Sequence, residues 1–195
     1  AISDQGCGGG AAPPISLWRS NDDGASWSRV HTFTNVVEAG MSVAADGTLY
    51  LDLPGAQFTS GAFSAGSSSS NAGTSPYSAL SGGGTIITAP NDMLASSNQG
   101  ASFTAAPVKG VASNTNIVGP FAVLADGSVV ALGSSNTSPT VADTLYTWKL
   151  GASSWQQVNG SATSDGYVYA QASTVGGQET LYAVTTSGKI DSFAL

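Results

Sequence analysis

Residues 17–27 read LWRSNDDGASW, and residues 93–103 read MLASSNQGASF. In both stretches a serine is followed two residues later by Asp or Asn and four residues later by Gly, and an aromatic residue comes three residues after the Gly. A short Asp or Asn side chain accepts backbone N–H groups inside a turn, and Gly adopts positive φ at little steric cost. The pattern therefore predicts two tight turns, each followed by an aromatic side chain that we expect to be buried between sheets.

A third stretch, residues 145–155, reads LYTWKLGASSW and keeps only Gly151 and Trp155 from the pattern. The aromatic residues Trp27, Phe103 and Trp155 are 76 and 52 residues apart. The second spacing is near the roughly 40 to 50 residues of a four-stranded propeller blade. The first is longer because of the insertion Gly55–Gly84, which is rich in Ser and Gly and predicts a long surface loop with little structure of its own.

A second element repeats as VAADGTLYL at residues 43–51 and VLADGSVVA at residues 123–131. An Asp-Gly pair between apolar runs predicts a hairpin with a two-residue primed turn, here at Asp46-Gly47 and Asp126-Gly127. No stretch carries the apolar stripe of a helix, and short runs typical of strands recur along the chain. The predicted strands are Met41–Ala45, Thr48–Leu53, Phe121–Ala125, Ser128–Leu132, Leu145–Leu150, Tyr167–Ser173 and Leu181–Thr185.

The first stretch resembles the Asp box, or BNR repeat, of sialidases, some other glycoside hydrolases and many non-catalytic propellers. The resemblance is carried by Ser20, Asp22, Gly24 and Trp27, and in degenerate form by Ser96, Asn98, Gly100 and Phe103. It implies a structural role for these residues rather than a catalytic role for Asp22 or Asp23. It also implies an all-β fold, a propeller of four-stranded antiparallel blades.

Counting predicted strands gives an outer hairpin at about 16–32, two four-stranded units at about 36–108 and 117–158, and three strands at about 167–195. We therefore expect residues 1–195 to be a single domain of about three and a half blades, after a Gly-rich segment 1–15. Propellers close with about four to eight blades, so a second polypeptide is predicted to complete this one. A first residue other than Met, Ala1, suggests that a signal peptide or a larger N-terminal segment has been removed.

The composition limits the partners of the chain. Five basic residues against twelve acidic ones give a net charge of −7, which excludes the cationic footprint of a nucleic-acid-binding protein. No apolar run is long enough to cross a bilayer. Charged residues make up only 9% of the chain, and this polar but weakly charged surface favours secretion; Asn136 and Asn159 fit the glycosylation sequon. With Cys7 and His31 as the only Cys and His, we expect no metal and no cofactor, and Cys7 is a candidate interchain thiol.

A complete active site is not predicted. Sialidase-like enzymes, to which the resemblance leads, hold the substrate carboxylate with three arginines and use a tyrosine beside an acid, whereas this chain has only Arg19 and Arg29. Other hydrolases of this kind use two carboxylates, for which the candidates are Glu38, Asp46, Asp52, Asp126 and Glu179. The pairs Trp148/Trp155 and Tyr167/Tyr169 are candidate sugar-stacking platforms. We predict a secreted, non-catalytic module for protein or carbohydrate binding or for extracellular assembly; the alternative is half of a sialidase-like or other glycoside hydrolase.

Overall fold

The computed structural model describes residues 2–3, 15–33, 40–52, 56–59, 62–65, 93–112, 115–135 and 143–195. Within these ranges the chain forms sixteen strands and no helix, which confirms the prediction of an all-β, antiparallel fold. Accordingly, none of the residues in these ranges belongs to an apolar helix of membrane-spanning length.

The strands form four antiparallel sheets and one separate hairpin, and sheet membership follows chain order. Sheet A contains β1 (Ile2–Ser3), β2 (Ile15–Arg19) and β3 (Ser28–Phe33). Sheet B contains β4 (Gly40–Val43), β5 (Leu49–Asp52), β8 (Met93–Ser96) and β9 (Thr104–Ala105). Sheet C contains β10 (Thr115–Val123), β11 (Val129–Ser135), β12 (Thr144–Trp148) and β13 (Gln156–Gln157). Sheet D contains β14 (Tyr167–Val175), β15 (Gln178–Thr185) and β16 (Ile190–Ala194).

The predicted grouping of strands is confirmed by the sheets. Sheets B and C have four strands each, sheet D has three, and β2 pairs with β3 as an antiparallel hairpin. Two features were not predicted. The short strand β1 pairs with β2 through Ile2 and Ser3. Inside the insertion Gly55–Gly84, β6 (Ala56–Thr59) pairs with β7 (Ala62–Ala65), so this part of the insertion is structured.

Alternation along the strands places apolar side chains on both faces of the inner sheets, which therefore pack in chain order. We call the face of a sheet that is turned toward the next sheet along the chain its forward face, and the opposite one its rear face. In sheet D, the last of the four, the forward face is the one turned away from sheet C. The forward face of sheet B packs on the rear face of sheet C around Tyr50, Met93, Val129, Trp148 and Trp155. The forward face of sheet C packs on the rear face of sheet D around Val130, Leu132, Leu145, Tyr167 and Leu181.

The first strands of sheets B, C and D lie close together, since β10 contacts both β4 and β14. At Gly40 in β4 a Cβ atom would lie 3.0 Å from the Gly119 carbonyl oxygen in β10, so glycine lets the two strands approach closely without displacing the neighbour. The Asp52 carboxylate also crosses between these sheets, since its Oδ2 accepts a hydrogen bond from the Gly119 N–H at 3.1 Å. The sheets are thus joined at their inner strands as well as through their faces.

Candidate functional site

The turn between β2 and β3 is held by the Ser20 and Asp22 side chains. Ser20 Oγ accepts the Gly24 N–H at 2.8 Å and donates to Asp22 Oδ1 at 2.7 Å. Asp22 Oδ1 accepts the Ser26 N–H at 2.8 Å, and Asp22 Oδ2 accepts the Ser26 hydroxyl at 2.5 Å. Asp23 and Gly24 follow with φ of 53° and 90°, so the chain reverses through two left-handed residues. One serine and one carboxylate therefore fix the whole turn.

The turn between β8 and β9 repeats these bonds with an amide in place of the carboxylate. Ser96 Oγ accepts the Gly100 N–H at 2.9 Å and donates to Asn98 Oδ1 at 2.8 Å. Asn98 Oδ1 accepts the Ser102 N–H at 2.9 Å, while Asn98 Nδ2 donates to Ser102 Oγ at 2.8 Å. Gln99 and Gly100 have φ of 58° and 84°, as at the first turn. Asn98 donates to the Ser102 hydroxyl, whereas Asp22 accepts from the Ser26 hydroxyl, so one hydrogen bond is reversed while the geometry of the turn is preserved.

The Asp22 carboxylate is surrounded by hydrogen-bond donors that stabilise its negative charge. Its pKa is lowered to about 2, first by the hydrogen bond from the Ser26 side chain, then by the Ser26 backbone N–H and the Ser20 hydroxyl. A carboxylate that accepts several hydrogen bonds is stabilised in its ionised form. Asp22 therefore has the chemistry of a turn anchor, which is the opposite of a general acid.

The third stretch, 145–155, forms a different turn. Leu150 stands where the first two turns have Asp22 and Asn98, and Gly151 is at φ 95°. The reversal is made by the Ala152 N–H donating to the Lys149 carbonyl oxygen at 2.9 Å, and the Trp148 indole N–H closes it on the Ala152 carbonyl oxygen at 3.1 Å. The first two turns contain the same kind of backbone bond, from the Ala25 N–H to the Asp22 carbonyl oxygen at 3.0 Å and from the Ala101 N–H to the Asn98 carbonyl oxygen at 3.2 Å. The third turn therefore differs in lacking the side-chain bonds of a Ser and an Asp or Asn.

The three aromatic residues that end these stretches differ in burial. Trp155 is 1% exposed and donates from Nε1 to the Pro107 carbonyl oxygen at 2.9 Å, and Phe103 is 6% exposed and packs on His31 with ring centroids 5.6 Å apart. Each therefore packs on the sheet that precedes its own. Trp27 is 51% exposed and its Nε1 donates only to Gly24 within its own turn at 3.1 Å. The expectation that Trp27 is buried is wrong: sheet A has no sheet before it in the described ranges.

The two Asp-Gly turns are hairpins, but their type differs from the prediction. At the first, the Gly47 N–H donates to Ala44 O at 2.9 Å and the Ala44 N–H to Thr48 O at 2.8 Å, with only Gly47, at φ 85°, in the left-handed region. This is a three-residue loop, a type I turn followed by a glycine bulge, rather than a two-residue primed turn. Asp46 Oδ1 caps it by accepting the Thr48 N–H at 2.8 Å.

The second Asp-Gly turn has the same geometry. Gly127 is at φ 87°, and Asp126 Oδ1 accepts the Ser128 N–H at 2.8 Å. Its backbone is also held by sheet B, since the buried Tyr50 hydroxyl donates to Gly127 O at 2.9 Å and accepts the Leu150 N–H at 3.2 Å. Asp46 and Asp126 therefore act in turns, in agreement with the preferred interpretation of their sequence context.

The other candidate catalytic carboxylates do not form a pair in the described ranges. Asp52 is buried against Gly119, while Glu179 Oε1 accepts the Ala125 N–H at 2.7 Å and so joins sheet D to the Asp126 turn. Glu38 and the candidate thiol Cys7 lie outside the described residues. No three His, Cys, Asp or Glu side chains in the described part of the chain are placed to hold a metal ion.

The remaining predicted residues divide between core and surface. Trp148 and Trp155 are buried in the core, so they do not form a sugar-stacking platform; alternation turned both inward. Tyr167 is buried as well, and only Tyr169 of its pair is exposed. Arg19 is half-buried and donates from Nη1 to Gln99 Oε1 at 3.1 Å, whereas Arg29 is exposed.

The sequence did not predict a polar cluster at the end of sheet D, formed by Asp165, Thr186 and Ser187. Asp165 accepts hydrogen bonds from Ser187 and Thr186, which lower its pKa to about 2, with the Ser187 hydroxyl as the largest cause. Beside it, burial and then the charge of Asp191 raise the pKa of Tyr167 to about 12. The Thr-Ser-Gly run at 186–188 was the available turn signal. A phenol with this pKa stays protonated at neutral pH, which is unlike an activated nucleophile.

Two apolar surfaces remain open. One is a cleft of about 390 Å³ between sheets A and B, lined by Trp18, Arg19, Trp27, Met41, Val43 and Leu49 among others. The other is a shallow depression of about 310 Å³ on the forward face of sheet D, lined by Tyr169, Gln171, Ser173, Tyr182, Val184 and Ile190. Neither contains a pair of carboxylates, and both are concave and largely apolar, as binding surfaces commonly are.

No family model matches the chain, and no curated protein sequence matches it. Among solved structures, the leech intramolecular trans-sialidase, determined with 2,7-anhydro-Neu5Ac, is similar at 12% sequence identity and a TM-score of 0.37. The match covers 93% of this chain and 29% of the trans-sialidase chain, so this chain spans less than a third of that structure. A likeness of that size is too slight to assign a fold family or an activity.

Proposed function

We propose that the chain is part of a secreted Asp-box β-propeller that acts as a non-catalytic module, binding a protein or carbohydrate or building an extracellular structure, and that another polypeptide completes it. The observation that carries the proposal is the packing of sheets A to D against one another in chain order, with β10 in contact with both β4 and β14. Sheets that pack face to face with their first strands close together resemble the radially repeated sheets of a propeller, and this supports the proposal. The repeated Ser20 and Ser96 turns fit the same repeat.

The proposal of a second polypeptide rests on the two ends of this stack. Among the described residues, sheet D has three strands where sheets B and C have four, and sheet A has two strands of ordinary length and the two-residue β1. Open sheet edges and bare apolar faces favour pairing with another chain. The cleft and the forward face of sheet D are the surfaces at which such a partner would bind.

A non-catalytic role is supported by what the carboxylates do. Asp22, Asp46 and Asp126 each accept a backbone N–H of their own turn, and Glu179 accepts one from a neighbouring sheet. Catalytic acids have pKa values matched to proton transfer near neutral pH, and the pKa of Asp22 is lowered to about 2. The alternative, half of a glycoside hydrolase, needs its reacting groups from the partner.

Two measurements on the purified chain test the proposal. A panel of fluorogenic glycosides, sialosides included, tests catalysis: we expect no turnover, and turnover by this chain alone would contradict the non-catalytic role. Hydrogen exchange of β16 tests incompleteness, because an edge strand exposes its amides to solvent. Protection of the β16 edge in the monomeric chain would mean that sheet D is complete. A glycan array, run alongside, separates carbohydrate binding from the other roles.

A further inference from the structure

The forward face of sheet D repeats a surface that is buried twice elsewhere in the chain. The strand registers align Tyr50 with Ala95 in sheet B, Val130 with Thr147 in sheet C and Tyr182 with Ser192 in sheet D. Tyr50 and Val130 are 0% exposed because the next sheet covers them, whereas Tyr182 is 41% exposed. The forward face of sheet D is therefore the kind of surface that, in this chain, another antiparallel sheet covers.

The third strands of sheets B, C and D show the same difference in exposure. Met93 pairs with Asp52, Leu145 with Leu132, and Ile190 with Val184, which makes Met93, Leu145 and Ile190 equivalent. The first two are buried at 1% and 0%, while Ile190 is 66% exposed. No charged side chain lines this face, so no desolvation of a charge opposes its burial.

The cleft between sheets A and B exposes the complementary surface, the rear face of β4, at Met41 and Val43. Val43 pairs with Leu49 in sheet B as Val123 pairs with Val129 in sheet C. Val123 packs against the forward face of the preceding sheet, whereas Val43 is exposed together with Met41. Sheet A leaves this area open because β1 reaches only Ser16 and Leu17 of β2. Among the described residues no sheet covers the rear face of β4, and the forward face of sheet D is of the kind that covers such a strand elsewhere in the chain.

We propose that a second copy of this chain docks head to tail, with the forward face of its sheet D in the cleft against Met41 and Val43. The proposal rests on the proposed function, since it identifies the completing polypeptide as this chain itself. The contact repeats the one that joins sheets B to C and C to D, and it uses both open surfaces. A heterologous contact forms a ring when its rotation closes. Each copy has the four sheets A to D. When sheet D of each copy lies in the same layer as sheet A of the other copy, the two copies together form about six layers, which is within the range of closed propellers.

Sedimentation equilibrium of the full chain, with two surface variants and a control, tests the contact. Tyr182→Asp places a charge in the face of sheet D, Val43→Asp places one in the cleft, and Val108→Asp changes an exposed valine outside both surfaces. We expect the wild-type chain and Val108→Asp to sediment at twice 19.3 kDa, and each of the other two variants to be monomeric. An equimolar mixture of the two monomeric variants keeps one intact contact, and we expect it to dimerise at least tenfold more weakly than the wild type. Circular dichroism confirms that all variants are folded.

The outcomes separate this inference from the proposed function. A dimer that survives Val43→Asp would show that two sheet D faces pair with each other, and the head-to-tail contact would be wrong. A monomeric wild-type chain whose β16 amides exchange rapidly would overturn self-association and leave an incomplete module with a different partner. A monomeric chain with a protected β16 would overturn both proposals.

Discussion

Replacing Trp155 by alanine removes the largest of the fully buried side chains, and the structure gives the cost. The ring lies between sheets B and C, 5.7 Å from the Trp148 ring, and its Nε1 bonds to the Pro107 carbonyl oxygen. Truncation of a buried Trp to Ala costs about 3–5 kcal/mol of unfolding free energy, and loss of the hydrogen bond adds about 1 kcal/mol. The total is a large part of the roughly 5–15 kcal/mol that stabilises a domain.

Trp27 provides the matched control, because it occupies the same place at the end of a repeated stretch and is 51% exposed. Full burial of a large apolar side chain contributes about 1.5–3 kcal/mol, so Trp27→Ala should cost about 1 kcal/mol. At about 2–4 °C per kcal/mol for a chain of this size, Trp155→Ala should lower the melting temperature by about 8–24 °C and Trp27→Ala by less than about 5 °C.

Thermal melts followed by circular dichroism, together with urea titration of the free energy of unfolding, measure both variants. Trp155→Phe covers the case in which the alanine variant does not fold. Its melting temperature should lie between those of the wild type and Trp155→Ala, because a phenylalanine fills the equivalent position at residue 103. Equal losses for Trp27→Ala and Trp155→Ala would refute the reasoning, since they would show that the two aromatic residues are equally buried.

Three further predictions concern the turns and the core. Tyr50→Phe removes the buried hydroxyl that bonds to Gly127 O, and it should lower the free energy of unfolding by about 1–2 kcal/mol in urea titration; no change would mean that this bond is absent. Gly133→Ala would place a Cβ atom 2.4 Å from Tyr146, and it should cost about 1–3 kcal/mol by overpacking, whereas a neutral result would contradict the close contact. Because the pKa of Asp22 is lower in the folded chain than its ordinary 3.8, the stability it contributes is present above about pH 4 and is lost as pH falls toward 2. Asp22→Asn should therefore flatten the fall in melting temperature over that range, and an unchanged slope would contradict the assigned cause.

The sequence predicted the strands and their grouping because both are set by local chemistry. Gly24, Gly47, Gly100 and Gly127 mark residues with φ between 84° and 90°, and the Asp or Asn side chain nearby accepts the N–H that closes each turn. These signals lie within a few residues of the structure that they produce. The type of the Asp-Gly turns was predicted wrongly because one Asp-Gly pair is compatible with two loop lengths, and the choice depends on how the two strands are paired.

Burial could not be predicted in the same way, because it depends on the neighbouring sheet. The bonds around Asp22 and Asn98 are nearly the same, yet Trp27 is half exposed and Phe103 is buried. The same holds for Tyr182 and Ile190, whose equivalents in sheets B and C are buried. No pattern within one strand distinguishes a covered face from an open one. The cleft and the open face of sheet D, which form the proposed contact, therefore depend on how the sheets pack and could not be predicted from the sequence of any one strand.

The two surfaces proposed for binding lie on the end sheets of the stack, sheet A with sheet B at one end and sheet D at the other. Sheets B and C bury both faces against neighbours within the chain, and contacts such as the hydrogen bond from Tyr50 to Gly127 hold these sheets together. Sheets A and D each have one face without a neighbouring sheet among the described residues, and the exposed large apolar side chains concentrate near them: Trp27, Met41, Val43, Val168, Tyr169, Val175, Tyr182 and Ile190. Each sheet of such a stack contacts only its neighbours. The proposed docking of a second copy would therefore use the same kind of face-to-face contact, reduced by the entropy that association costs.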